Sequence, residues 1–262
     1  MTWTIHGYFA SLAVLLWLLG SLAALAGQGR KAAWLVLLGS LVTLLFIIGL
    51  WIRLQRPPLR TMGETRLWYS FFLSLCGLLT YRRWNYPWLL AASSLLAGVF
   101  ALINILRPEL HSRALMPALL SPFFIPHVLT YMLAYAWLAA GTAGAVFQLR
   151  RLLAGKGRDA RLDDFLENTI SIGLGFLMLG LITGAVWAKT AWGHYWSWDP
   201  KETWALATAA AFLGAVHLRR LPLRGGLELA GLLLPVLGLG LLMFTWLGLN
   251  FLPGASGSIH VY

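Results

Sequence analysis

The sequence predicts an all-α fold, a polytopic membrane bundle of about eight transmembrane helices. Three observations carry that expectation. Of 262 residues, 59% are hydrophobic and only 11% are charged, with a mean hydropathy of +0.74. A water-soluble domain of this length cannot bury so much apolar surface, so lipid must be part of its solvent. The apolar residues fall into runs of about 20, the length that carries a helix through the hydrocarbon layer. Short polar connections rich in Arg, Lys, Pro and Gly separate the runs.

Taken in order, the spans read 7–27, 33–53, 67–81, 87–107, 127–149, 165–188, 201–218 and 226–248. The first begins near Gly7 without a basic flank or a small-residue cleavage site, so it reads as a retained span and not a signal peptide. The third, Leu67 to Tyr81, is short and reads either as a crossing or as a re-entrant segment. With eight crossings, one side receives Arg30, Lys31, Arg82, Arg83, Arg150, Arg151, Lys156, Arg158, Arg161, Arg219, Arg220 and Arg224. The other receives Arg53, Arg56, Arg60, Arg66, Arg107, Arg113, Lys189 and Lys201. The dense, short loops around Arg150–Arg161 and Arg219–Arg224 are placed in the cytoplasm, because basic residues accumulate there. Both termini, the 108–126 connection and the tail 249–262 then lie outside. The segment 150–164, with two glycines and three aspartates, reads as a cytoplasmic linker and as a boundary between two groups of spans.

The net charge of +11 belongs to these helix ends. No basic face or binding motif accompanies it, so nucleic acid is excluded as a partner. Cys76 is the single cysteine and lies in an apolar run; without a Cys-x-x-Cys the chain is not a thiol oxidoreductase.

One connection departs from the rest. Trp192-Gly193-His194-Tyr195-Trp196-Ser197-Trp198-Asp199-Pro200-Lys201-Glu202-Thr203-Trp204 gathers five aromatics and two carboxylates in a chain with 9 acids in all. Asp199-Pro200-Lys201-Glu202 has the form of a helix start: an Asp cap, a Pro at the first helical position, and a Glu three residues after the cap. Capping is therefore one reading of the two carboxylates, and a role in a site is the other. An interfacial aromatic belt accounts for one or two aromatics per helix end. Five in one connection suit a planar apolar ligand stacked on aromatic faces.

Six histidines occur. His127, at the start of span five, and His260, in the outer tail, share a side with the Trp-rich stretch. Two neutral imidazoles facing each other suit iron held between axial ligands. His217 lies 17 residues after Pro200, about 26 Å further along a helix, and so belongs to the opposite leaflet. If it binds a metal through two imidazoles, the second must come from another polypeptide, because no other histidine of the chain reaches that depth. His6 and His111 read as interfacial or loop residues. His194 lies within the stretch without being singled out by its spacing.

Trp-Gly-x-x-Trp-x-Trp-Asp-x-x-Glu-Thr-Trp resembles the tryptophan-rich WWD signature of heme-handling membrane proteins, and most closely the CcsA (ResC) family of System II cytochrome c synthase subunits. Gly184-Ala185-Val186-Trp187-Ala188 before it, Met116 to Leu119, Pro126-His127-Val128, and the ending from Gly248 to His260 look like the same family. Residues 116–262 carry the likeness; residues 1–115 share apolar spans and an Arg56-Pro57-Pro58 loop.

The resemblance implies N-terminal transmembrane helices over 1–115 and a cytochrome c assembly (WWD) domain with four transmembrane helices over 116–262. It implies heme b (iron protoporphyrin IX) as cofactor, ligated outside by His127 and His260 and within the membrane by His217. It makes Trp192, Tyr195, Trp196, Trp198 and Trp204 the heme-facing aromatics, with Trp192, Trp196, Trp198 and Asp199 at the reacting centre. Heme would be passed outward and presented for thioether attachment to a Cys-x-x-Cys-His apocytochrome c, in the bacterial inner membrane with the site facing the periplasm. A CcsB/ResB-like membrane subunit would complete the complex, and a thioredoxin-like reductant would prepare the apocytochrome. At 262 residues the chain has no room for that subunit's large external domain. Arg53, Arg56, Arg60 and Arg66 read either as solvated loop charges or as groups holding heme propionates. A second reading is a heme carrier resembling CcmC, which delivers heme to a chaperone without ligating it. A third is a transporter or structural membrane protein whose Trp-rich loop is only a belt.

Overall fold

The computed structural model describes residues 2–111, 117–221 and 226–248. Among them the chain forms eight α-helices and no strand: α1 (His6–Leu25), α2 (Gly29–Leu54), α3 (Met62–Trp84), α4 (Pro87–Leu106), α5 (Phe124–Leu153), α6 (Ala160–Trp192), α7 (Pro200–Arg219) and α8 (Gly226–Trp246). Six of these, all but α3 and α7, are long and apolar enough to cross a membrane. The chain is a multi-pass helical membrane protein.

The chain divides into two compact units, Met1–Leu115 and Met116–Tyr262. In the first, α1 packs on α2 and α4, and α3 on α2 and α4. Small hydroxyl residues tie these helices together: Ser21 meets Ser94 at 2.8 Å and Ser40 donates to Ser74 at 2.7 Å. Without water inside a bilayer, such side chains must find partners in the protein. The short third span proves to be a continuous helix of 23 residues, about 35 Å long. Its extension on the N-terminal side is polar, and hydropathy cannot see it. A capping box of Thr61 and Glu64 starts the helix. The Glu64 carboxylate, with its side chain 1% exposed, is gripped bidentately by Arg56 at 2.8 and 2.9 Å and accepts from the Arg60 amide at 2.6 Å. Arg56 is thus a structural ion pair and neither a solvated charge nor a spare cation.

His6 and His111, read from sequence as interfacial or loop residues, are buried together in this unit. Their ring centroids lie 5.3 Å apart, and Trp3 stacks on His111 at 4.0 Å. His111 bonds through Nε2 to the Asn104 carbonyl at 2.7 Å, yet burial still draws its pKa down, which favours the neutral ring.

In the second unit, α5 packs along α6 and against α8, and α7 packs on α8 and α6. The segment 150–164 is not the boundary that its composition suggested. α5 runs to Leu153 and α6 starts at Ala160, so most of it is helix end and the rest a tight turn. Arg158 grips Asp163 at 2.7 and 2.8 Å, and Gln148 donates to the same carboxylate at 3.1 Å. Gly and charge in that segment mark contact with water, and the two helices it joins are packed partners.

Candidate functional site

The site is built where the start of α5 meets the end of α6. His127 lies in the first turns of α5, half-buried. Its Nδ1 stands 2.9 Å from the Gly180 carbonyl of α6. A carbonyl oxygen only accepts, so Nδ1 carries the proton and the neutral ring's lone pair sits on Nε2. His127 lies nearly parallel to Trp187, at 5.4 Å and 22°, with Tyr131 edge-on at 4.6 Å one turn below. Trp187 is itself 1% exposed and donates from Nε1 to the Ala118 carbonyl at 2.9 Å.

This arrangement depends on two glycines one turn apart on α6. A Cβ on Gly184 would stand 2.7 Å from His127 Cε1 and Nδ1, and a Cβ on Gly180 would collide with the Tyr131 ring. The missing side chains form a notch that receives the imidazole and the phenol. Sequence reasoning passed over Gly180, Gly184, Tyr131 and Trp187 as site residues. Two signals were legible: the small-xxx-small step Gly180-x-x-x-Gly184, and the i, i+4 spacing of His127 and Tyr131.

The Trp-rich stretch continues from this point. Trp192 closes α6, half-buried and edge-on to Trp187 at 4.7 Å. Ring contacts thus run from His127 through Trp187 to Trp192. Gly193 ends the helix at φ +88°, a left-handed turn that glycine adopts without strain. Lys189 caps the same end by donating to the Gly193 carbonyl at 2.7 Å, and its ammonium lies 5.5 Å from the Tyr195 ring. His194 is exposed, with Nδ1 2.8 Å from the Trp192 carbonyl. Trp196 is half-buried, edge-on to Trp198 at 5.8 Å. Trp198 is 68% exposed and sits at φ +60°. For a bulky residue that conformation costs on the order of 1–3 kcal/mol and persists only where the surroundings enforce it. Here it turns an indole face outward.

Asp199 and Glu202 take the capping role. Asp199 accepts from the Lys201 amide at 2.9 Å, and Glu202 reaches back to the amides of Asp199 at 3.2 Å and Ser197 at 2.8 Å. The carboxylates start α7 and shape the loop at the same time. Asp199→Ala is expected to destabilise this helix start by about 1 kcal/mol. The loss is measurable as a lower unfolding temperature of the purified protein, and Asp199→Asn should restore most of it.

Trp204 lies in the first turns of α7 against Phe244 of α8, at 4.9 Å. His217 is in the last turn of α7, with its side chain exposed. It stands about 26 Å along the helix from Pro200. The structure therefore joins His127 to Trp192 and separates both from His217. His260 lies outside the described residues, as does the tail that carries it. The His127 site fits heme iron on the chemistry of its donor: an imidazole oriented by a backbone carbonyl, with its lone pair on the other nitrogen, is the usual form of an axial histidine.

The fold and this site define a polytopic helical membrane protein that displays a Trp-rich loop beside an oriented imidazole. The family model described as cytochrome C assembly protein matches residues 5–255, and the chain belongs to that family. Similar relatives include the cytochrome c biogenesis protein CcsA of Parasynechococcus marenigrum (strain WH8102), 30% identical over 94% of this chain and 92% of that protein. The CcsA of Synechococcus sp. (strain CC9902) is 32% identical over 74% of this chain and 75% of that protein. The CcsA of Chlamydomonas reinhardtii is 34% identical over 66% of this chain, which spans 50% of that longer protein. Among solved structures, the cytochrome c heme lyase CcmF is similar in fold, with a TM-score of 0.56 at 20% identity, over 94% of this chain and 51% of that one. Family membership places the chain in cytochrome c biogenesis.

Proposed function

We propose that the chain binds heme b as the substrate of cytochrome c assembly and presents it, on the outer face of the cytoplasmic membrane, for thioether attachment to a Cys-x-x-Cys-His apocytochrome c. One observation carries this reading: His127, oriented by the Gly180 carbonyl, stacks on Trp187, which in turn meets Trp192 at the start of the Trp-rich loop. His127 and His260 would hold the heme iron. Trp192, Tyr195, Trp196, Trp198 and Trp204 supply faces for the porphyrin plane. Asp199 acts by holding the loop through its helix cap.

The chemistry suits these residues. A cysteine thiol adds across a vinyl group: a sulfur–carbon bond forms, the thiol hydrogen ends on the neighbouring vinyl carbon, and nothing is oxidised or reduced. Such an addition gains most from proximity and orientation. Aromatic rings beside one oriented imidazole would provide both, and no nucleophile–base pair is needed. His217 serves an inner heme site completed by an imidazole of a CcsB/ResB-like membrane subunit. Its exposure at the end of α7 supports that role.

The test is the absorbance spectrum of the complex purified from heme-replete cells, together with thioether formation on an apocytochrome. Heme bound and thioether made support the reading. Heme bound without thioether formation supports the carrier alternative, and a heme-free complex removes both. His217→Ala is expected to lower the heme content of the complex, and added imidazole should partly restore it by filling the vacated position. Unchanged heme content would remove the inner site.

A further inference from the structure

The first unit buries two histidines that heme presentation does not use. His6 opens α1 and is 2% exposed, and His111 follows the short helical turn Pro108–Leu110 and is 8% exposed. Their ring centroids stand 5.3 Å apart, with the planes at 71°. His6 Nε2 is buried and has no hydrogen-bond partner among the described residues. A buried nitrogen left this way bears the full cost of its desolvation, and a water or an ion is the usual remedy. His111 Nε2 stands 2.7 Å from the Asn104 carbonyl. A carbonyl only accepts, so Nε2 carries the proton and the lone pair of the neutral ring falls on Nδ1. One ring is thus oriented by a backbone carbonyl, as metal-binding histidines are. The other brings an unsatisfied nitrogen beside it.

The surroundings select the ion. Trp3 stacks on His111 at 4.0 Å and lies edge-on to His6 at 5.1 Å, and Phe46 stands 5.1 Å from His6. Glu109, the acid two residues before His111, is largely exposed and paired with Arg107. Among the described residues no group of three or more His, Cys, Asp or Glu could hold a metal. A structural zinc ion takes four such ligands, and copper(II) prefers a plane of nitrogen and oxygen donors, so neither is served here. Monovalent copper, with a filled d shell, accepts two imidazoles alone. Its single charge is less costly to bury than a double one, and aromatic faces attract a cation. A metal–imidazole bond is about 2 Å long, so two rings sharing one ion have centroids roughly 5–6 Å apart. The pair of His6 and His111 falls in that interval.

We propose that His6 and His111 form a two-coordinate site for Cu(I), with His6 Nε2 and His111 Nδ1 as its donors. The ion clasps the start of α1 to the chain just beyond α4, two points far apart in sequence within one compact unit. The site shares no residue with the heme reading, so neither depends on the other.

The test is Cu(I) uptake by the purified full chain, stripped of metal and kept under ascorbate without oxygen, in competition with the chelator bicinchoninate. His6→Phe and His111→Phe, which keep a ring in the aromatic cluster, should each bind one equivalent at least about a hundredfold more weakly, since a ligand is lost. The double variant should lose the same single equivalent and no more, which marks one shared ion. His194→Ala, at an exposed histidine, should retain it. Cu(I) is expected to raise the unfolding temperature of the unaltered chain and of neither Phe variant, because an ion bound only by the folded state stabilises it. X-ray absorption at the copper edge needs no variant: loaded with one equivalent, the unaltered chain should show two nitrogen neighbours. Unchanged uptake in both variants, loss in one variant alone, a copper environment of four donors, or uptake of Zn(II) that depends equally on His6 would each overturn the proposal.

Discussion

His127→Ala is expected to reduce cytochrome c maturation to background and to remove the outer heme signal from the purified complex. The imidazole is the one side chain among the described residues that joins an oriented nitrogen donor to the aromatic run ending at Trp192. Alanine leaves the Gly180–Gly184 notch in place, so free imidazole can enter it and partly restore the absorbance, a response that a misfolded protein would not give. Maturation is measured by heme staining of a c-type cytochrome under denaturing conditions, and ligation by the Soret band of the purified complex. Full maturation in a variant lacking both His127 and His260 would remove the proposed outer site altogether.

Gly184→Ala should come close to that effect although the residue touches no substrate. Its Cβ would stand 2.7 Å from two atoms of the His127 ring, so the imidazole must leave its place on Trp187 or lose the Gly180 carbonyl. Disturbing the group that orients a metal-binding histidine typically costs 10–100-fold in affinity or activity, and roughly that loss of heme is expected. The effect on stability points in the opposite direction, because alanine favours a helix over glycine by up to about 1 kcal/mol. Gly175→Ala on the same helix is the control: nothing lies within 4 Å of the added carbon, so heme binding should be unchanged. Equal heme content in the two variants would show that the notch does not position His127.

The two predictions differ in how far they were legible beforehand. His127 was reachable from its place after Pro126 at the start of an apolar run, and from the likeness of the Trp-rich stretch to a heme-handling family. Gly184 stands out in the sequence only as the first residue of the family-like run Gly184 to Ala188. The Gly180-x-x-x-Gly184 step marks a close approach, but it does not say that the ring received there lies 57 positions earlier in the chain. The arginines show the same limit. Arg53, Arg56, Arg60 and Arg66 were alike as loop charges, yet Arg56 proved to be committed to the buried Glu64. The 150–164 segment misled for a related reason. Gly, Lys and Asp announce exposure to water, and exposure alone does not separate helices that pack along their length.

By itself the sequence determined the eight helices, their approximate ends, and the cap that starts α7 at Asp199. Those features are set within a few residues, by hydrophobic run length and by side chains reaching their own backbone. Tertiary structure alone decided which helices are neighbours, and therefore that His127 meets Trp187 and Gly184, that Arg56 closes on Glu64, and that His6 lies against His111. These pairings depend on how surfaces far apart in the chain interlock, and no local pattern records them.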